Sequence, residues 1–321
     1  MDTVAVKAAQ KKKKTSPLRA FGRELKKNRT LFLMLLPATA LVLIFSYIPM
    51  AGIVVAFKNY QFDMGIFGSP WVGFKNFEFF FKSGKAMLLT FNTIAYNLSF
   101  KAVGLVFELF FAIVISELAG KYVKKAMQSV TILPFFISWV IVGGFVYSVF
   151  NYEYGLMNTV LKSINIPPVD IYSNAKVWPF VLVGASVWKG TGYGMIVYLA
   201  SIAGISPEFY ESAYLDGAGL LKRIWYITLP LLKPTVITLI LLGLSSMLKG
   251  NFDMFYQLVG NNGQLFDATD VIDTFVFRSL VGTKNLGMSS AAGFYQQVLG
   301  FVIVMTVNGI IRKVDPDYAI F

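Results

Sequence analysis

Two carboxylates and a hydroxyl lie close together in Glu211-Ser212-Ala213-Tyr214-Leu215-Asp216-Gly217, and after nine residues the chain reads Ile227-Thr228-Leu229-Pro230. Glu211 and Asp216 can grip a partner by polar contact, and Gly217 with Gly219 gives the backbone freedom for a sharp bend. Docking is the chemistry this segment offers. Catalysis finds little else to use. The chain has no His and no Cys, which removes the commonest general base, the thiol nucleophile, disulfides and Cys-based metal sites. A Walker A glycine loop, a G-x-S-x-G elbow and a paired-carboxylate motif are absent too. No catalytic residue, no metal ligand and no cofactor held by this chain are expected, so any hydrolysis of ATP must occur on another chain.

Local signals frame the segment as a helix and a turn. Ser206 reads as an N-cap, Pro207 as the first helical residue and Glu208 as a first-turn acid. Pro230 and Pro234 mark the entry to the next apolar block. An ordinary helix-turn would carry the same signals, but this one is a polar stretch set between two apolar spans.

Those spans require a membrane. The 321 residues are 56% hydrophobic with mean hydropathy +0.62, and the apolar residues come in blocks too long for a soluble core. About 20 helical residues cross ~30 Å of hydrocarbon. Six candidate spans lie near 31–57, 87–117, 127–150, 179–203, 232–250 and 291–311. Pro37, Pro49 and Pro134 fall inside them, which membrane helices tolerate when neighbours satisfy the freed carbonyls. The alternation of a β-barrel is missing, so the class is all-α: a polytopic membrane protein of about six helices.

Orientation follows from Lys and Arg. Residues 1–29 form a basic tail with Lys7, Lys11, Lys12, Lys13, Lys14, Arg19, Arg23, Lys26, Lys27 and Arg29, expected to stay cytoplasmic. Six spans return the C-terminus, with Arg312 and Lys313, to that side. They also place Lys121, Lys124, Lys125, Lys222 and Arg223 inside, together with the segment near 204–231. The net charge of +12 is read as attraction to anionic membrane lipid, not nucleic acid. Residues 30–321 are one membrane domain without internal repeat, with long outer segments at 151–178 and 251–290 and a short tail from Asp315.

Further candidates lie in the spans and outer loops. Trp139 and Trp188 are either interfacial belt aromatics or sugar platforms. Lys189 is expected beside a Gly-rich bend at Gly190, Gly192 and Gly194, where it either snorkels to the interface or receives a hydroxyl or carboxylate. Lys101 and Glu108, seven residues apart, share a helical face; either an ion pair, within or between helices, or a pore lining would justify charge at that depth. Residues 251–278 interleave Asn251, Asp253, Tyr256, Gln257, Asn261, Asn262, Gln264 and Asp267 with aromatics, the mixture that suits hydroxyl rims and apolar ring faces of sugars.

The Glu211–Pro230 pattern resembles the EAA loop of ABC-importer permeases, E-A-A, three residues, G, nine residues, I-x-L-P, with Ser212 where Ala is usual. Thr131-Ile132-Leu133-Pro134-Phe135-Phe136-Ile137-Ser138-Trp139-Val140 resembles the Y-L-P-H-F-x-S-W-V segment of LplB-like permeases, a branch of the maltose-permease (MalF) superfamily, with Phe135 in place of His. Val187-Trp188-Lys189-Gly190-Thr191-Gly192-Tyr193-Gly194 and Asp270-Val271-Ile272-Asp273-Thr274-Phe275-Val276-Phe277-Arg278 resemble two further stretches of that branch, and the match covers most of 30–315.

The resemblance implies a type I importer permease in a bacterial cell membrane, working by alternating access. It implies a second permease as heterodimer partner, a cytoplasmic ATPase dimer carrying ATP and Mg, and an extracellular solute-binding protein. Glu211, Ser212, Ala213, Asp216 and Gly217 would form the coupling helix and turn in the ATPase cleft. Trp139, Trp188, Lys189, Asn251, Asp253 and Tyr256 would be candidates for the substrate path. The substrate implied is an oligosaccharide, and the narrower expectation is an acidic product of pectin or alginate breakdown. The competing class is an ion-coupled secondary transporter or a membrane enzyme. Against it stand the absence of a catalytic constellation and of an inverted repeat with broken midplane helices.

Overall fold

The computed structural model describes residues 21, 24–244 and 246–314. Lys7, the Lys11–Lys14 run, Arg19 and Arg23 of the basic tail, and the tail from Asp315, lie outside the described residues.

Long apolar blocks in lipid must satisfy every backbone amide internally, and a helix does so within one segment. Among the described residues, five helices are long and apolar enough to cross a membrane: Arg29–Phe57, Lys85–Glu117, Trp178–Ala203, Leu220–Leu244 and Leu286–Lys313, of 29, 33, 26, 25 and 28 residues. Even 25 residues extend about 37 Å at ~1.5 Å each, enough for the hydrocarbon. Their most apolar windows are at most 22% buried, so the apolar side chains face outward, as lipid requires and water would not allow.

The chain divides into two units, Met1–Val54 and Val55–Phe321. In the first, helix α1 (Arg29–Val42) runs through Pro37 with no buried side chain and passes into a wider π turn at Leu43–Tyr47.

The second unit carries α2 (Lys75–Lys82), α3 (Lys85–Glu117), α4 (Lys121–Ile132), α5 (Trp139–Phe150), α6 (Leu156–Ser163), α7 (Trp178–Ala203), α8 (Pro207–Leu215), α9 (Leu229–Leu244), α10 (Phe252–Val259), α11 (Ile272–Val281) and α12 (Leu286–Val314). The long pair α3 and α7 packs along its length. Tyr96, Trp178, Leu182, Met254, Phe255 and Leu258 form a core at one end, and Ala112, Ile115, Met195 and Tyr198 form another farther along.

The structure adds to three expectations. The span near 127–150 is present as a bent pair: Lys121–Phe136 and Trp139–Phe150 meet at 92°. Pro134 removes an amide, Ile137 is extended, and the Ser138 hydroxyl accepts the Ile141 amide at 3.4 Å to start a new helix. The fifth span begins at Leu220, not 232, because a π turn at Ile224–Thr228 carries the helix on into Pro230. The outer segment 251–290 is largely helical, with Met254, Phe255, Leu258 and Val259 of α10 buried.

Candidate functional site

The segment between spans four and five forms α8 and a tight C-terminal turn. Ser206 caps it, its hydroxyl accepting the Glu208 amide at 3.4 Å, and Pro207 occupies the first position. At the other end the Gly217 amide donates to Tyr214 O at 3.0 Å and the Ala218 amide to Ala213 O at 2.8 Å. This is the paired closure of a Schellman turn, and it needs a left-handed residue at Gly217. Gly217 has φ +75°, and no atom lies within 4 Å of where a Cβ would stand. The glycine is therefore demanded by the backbone and not by a neighbour.

Around that frame, Glu211 and Asp216 are exposed and Ala213 is half-buried. Ser212 spends its hydroxyl inside the helix, 2.8 Å from Glu208 O. Phe209, Tyr214 and Leu215 are 54%, 73% and 85% exposed, so the short helix carries bare apolar side chains in its first and last turns. The Tyr210 hydroxyl meets Thr228 Oγ1 at 3.0 Å, which ties α8 to the π turn.

The 92° bend is held by α7. Lys189 Nζ donates to Phe135 O at 2.5 Å and to Pro134 O at 3.3 Å, carbonyls freed where the helix ends. It also lies 5.4 Å from the Phe135 ring centre and 5.5 Å from that of Trp139, within reach of cation–π attraction. Phe135 stacks on Tyr193 at 4.7 Å and 14°. Lys189, Trp139, Phe135 and Tyr193 thus form one cluster. Trp188, about 100° farther round the helix, lines a different, apolar groove of about 530 Å³ with Phe107, Phe111 and Pro134. The expected bend at Gly190, Gly192 and Gly194 does not occur; α7 is continuous from Trp178 to Ala203.

At the other end of span five, Asn251 caps α10 by accepting the Met254 amide at 3.3 Å, and Asp253 is exposed in its first turn. Tyr256 stacks on Phe252 at 5.3 Å and meets Phe277 edge-on. It lines a cavity of about 140 Å³ with Asn261, Thr274 and Arg278. Arg278 pairs with buried Asp270 and lies over the Phe266 ring. Burial pushes the Tyr172 hydroxyl up to about 12, so it remains protonated near neutral pH. Asp273 accepts the Gly250 amide at 2.6 Å and the Gln296 side-chain amide at 2.9 Å; burial pushes its carboxyl up, against those hydrogen bonds.

The structure therefore gathers the coupling candidates in one place, unites Lys189 with Trp139, and leaves Trp188 and the Asn251–Tyr256 group elsewhere. Lys101 and Glu108 form no ion pair. Among the described residues no cluster of three or more His, Cys, Asp or Glu could hold a metal. Phe135, Tyr193 and Tyr210 went unremarked as site residues. Tyr193 was within reach of sequence reasoning, since four residues from Lys189 is the same helical face; Tyr210 meets Thr228 only through the fold.

Residues 108–316 match the family model described as "Binding-protein-dependent transport system inner membrane component". The protein LplB of Bacillus subtilis (strain 168) is 31% identical over 316 residues, 95% of this chain and 98% of the relative. The polygalacturonan/rhamnogalacturonan transport system permease protein YteP of the same organism is 30% identical, covering 90% of each. A chain in the crystal structure of a bacterial alginate ABC transporter, in complex with an alginate pentasaccharide-bound periplasmic protein, superposes with a TM-score of 0.80 at 31% identity, covering 91% of this chain and 97% of that one.

Proposed function

Because this chain belongs to the family of binding-protein-dependent transport system inner membrane components, a multi-pass membrane permease and not an enzyme, we propose that it forms half of the pathway of an ATP-binding-cassette importer for acidic oligosaccharides from pectin or alginate breakdown. The relatives support the sugar class: YteP is named for polygalacturonan and rhamnogalacturonan, and the structural neighbour for alginate. The partners are a second permease, an ATPase dimer that holds ATP and Mg, and a solute-binding protein. Both termini and α8 are cytoplasmic on the positive-inside argument. The ATPase-independent alternative is set aside, since the chain that superposes on this one belongs to an ABC transporter.

The observation that carries the coupling role is the exposed apolar surface of α8, Phe209, Tyr214 and Leu215, beside the exposed Glu211 and Asp216. Exposed apolar surface rimmed by polar groups marks a protein contact. Glu211 makes the polar contact in the ATPase cleft, Ser212 and Ala213 keep the helix regular, and Asp216 with Gly217 turns the chain. ATP binding closes the ATPase pair, the clefts carry α8 and its counterpart with them, and the helices open outward to receive sugar; hydrolysis resets them. Trp139, Phe135 and Tyr193 offer ring faces to the sugar. Lys189, with one hydrogen left after two carbonyl bonds, offers a donor to a hydroxyl or carboxylate. Trp188, Asn251, Asp253 and Tyr256 are assigned to the walls and mouth of the same path.

Reconstitution tests this. The chain, its second permease and the ATPase in proteoliposomes are expected to accumulate unsaturated oligogalacturonate or oligoalginate only when ATP and the loaded binding protein are supplied from opposite sides. Transport by the isolated chain would sink the importer reading, and uptake confined to neutral oligosaccharides would sink the acidic one.

A further inference from the structure

Lys101 stands at the middle of α3, sixteen residues from Lys85 and sixteen from Glu117, about 24 Å from either end. A cation at such depth costs ~2.5–3.5 kcal/mol by insertion scales unless it meets a partner or water. Lys189 meets that requirement through two backbone carbonyls. Lys101 is exposed; it acts on Glu108 through space without an ion-pair contact, and it makes no hydrogen bond with a described residue.

What surrounds it is a chamber among α3, α7 and α9 of about 220 Å³, lined by Lys101, Glu108, Ser186, Thr191 and Tyr198 with Gly190. Two glycines make room for its charges. A Cβ on Gly194 of α7 would lie 2.1–2.5 Å from the Glu108 carboxyl atoms, and one on Gly243 of α9 would lie 3.0 Å from Lys101 Nζ. Neighbouring helices thus leave space for both charged groups where any side chain would displace them. The Thr191 hydroxyl donates to Val187 O, leaving its lone pairs free to accept from a ligand. The volume is below the ~300–1,000 Å³ of drug-sized sites, so it suits one sugar ring at a time.

We propose that this chamber is a transit site within the membrane, where Lys101 receives a carboxylate of the passing acidic sugar and Glu108, about 10 Å nearer the Glu117 end, keeps the anion from being trapped. A conducting site must bind well enough to admit its cargo and weakly enough to release it; a cation followed by a charge of the cargo's own sign does both. The carboxylate role rests on the acidic-sugar reading above, whereas the chamber itself does not.

Because the chain lacks cysteine, Lys101→Cys and Glu108→Cys each introduce its single thiol, to be studied in the full complex with Cys-free partners. Both are expected to react with a charged, membrane-impermeant methanethiosulfonate in at least one nucleotide state, and loaded binding protein with ATP is expected to protect them. Phe110→Cys, half a turn round α3 from Lys101 and 56% exposed, is expected not to react. Uptake of an oligouronate by Lys101→Met is expected to fall about tenfold or more, the loss of one charged hydrogen bond, with a neutral oligosaccharide little changed and Lys101→Arg retaining uronate uptake. Glu108→Gln is expected to lower both KM and kcat for the uronate. No labelling at either position in any state, or labelling that no transported sugar reduces, would overturn the chamber. Equal loss of neutral and acidic uptake in Lys101→Met would overturn the carboxylate role. A wild-type complex that takes up only neutral sugar would overturn the acidic reading itself, with the labelling and protection results still deciding the chamber.

Discussion

Tyr210 and Thr228 share a hydrogen bond of 3.0 Å across eighteen residues of chain. It joins the helix that carries Glu211 to the Ile227–Pro230 stretch, so the two halves of one sequence pattern are fastened to each other. Thr228 of the π turn is 2% exposed, whereas α8 itself has no buried residue. Motion of α8 would therefore reach span five through this bond and the short turn after Gly217.

Tyr210→Phe is expected to strand the buried Thr228 hydroxyl and to cost about 1–3 kcal/mol locally, more than removal of both partners in Tyr210→Phe with Thr228→Val. Hydrogen exchange of the α8 amides in the intact complex reads this. Equal protection in the wild type and Tyr210→Phe would show that the bond does not hold α8.

Gly217→Val forces a β-branched residue to φ +75°, a strain of about 1–2 kcal/mol that asparagine largely escapes. Membrane insertion is expected to be normal in both variants, with binding-protein-stimulated ATPase activity and uptake lost in Gly217→Val and mostly kept in Gly217→Asn. Normal uptake by Gly217→Val at matched expression would refute a role for the turn.

Lys189→Met strips the cation from the Phe135 and Pro134 carbonyls at the bend. Uptake of acidic and neutral oligosaccharides is expected to fall together, and the detergent-solubilised complex to unfold at lower temperature, since a hydrogen bond from a charged donor contributes about 1.5–3 kcal/mol. Loss confined to the acidic sugar, at unchanged stability, would assign Lys189 to substrate charge instead of the bend.

Asp273 predicts a pH dependence. Burial raises its carboxyl in the folded chain, so the folded state holds this proton more tightly than the unfolded one. Its contribution is then present at low pH and is lost as pH rises from the unfolded value, about 4, through the folded one. Asp273→Asn is expected to flatten that decline when thermal midpoints of the complex are followed from about pH 4 to about pH 7. Parallel curves would show that the carboxyl is ordinary.

The sequence by itself determined the membrane class, because block length against bilayer thickness is a one-dimensional comparison. The turn at Gly217 was legible for a similar reason: a Schellman closure involves only six consecutive residues, and glycine is what its left-handed position demands. The family pattern from Glu211 to Pro230 was likewise a matter of spacing. Tertiary structure decided the rest. Whether Pro134 kinks a helix or breaks it depended on Lys189, fifty-five residues away, supplying donors to the freed carbonyls. The third expected span thus became a bent pair. Lys101 and Glu108 share a face, but about 10 Å of rise separates them, and only the packing of α7 and α9 shows that each charge rests against a glycine, the two acting on each other through space without a direct contact. Adjacent residues on a helix point about 100° apart, so Trp188 and Lys189, neighbours in sequence, belong to different surfaces once the neighbours of α7 are in place.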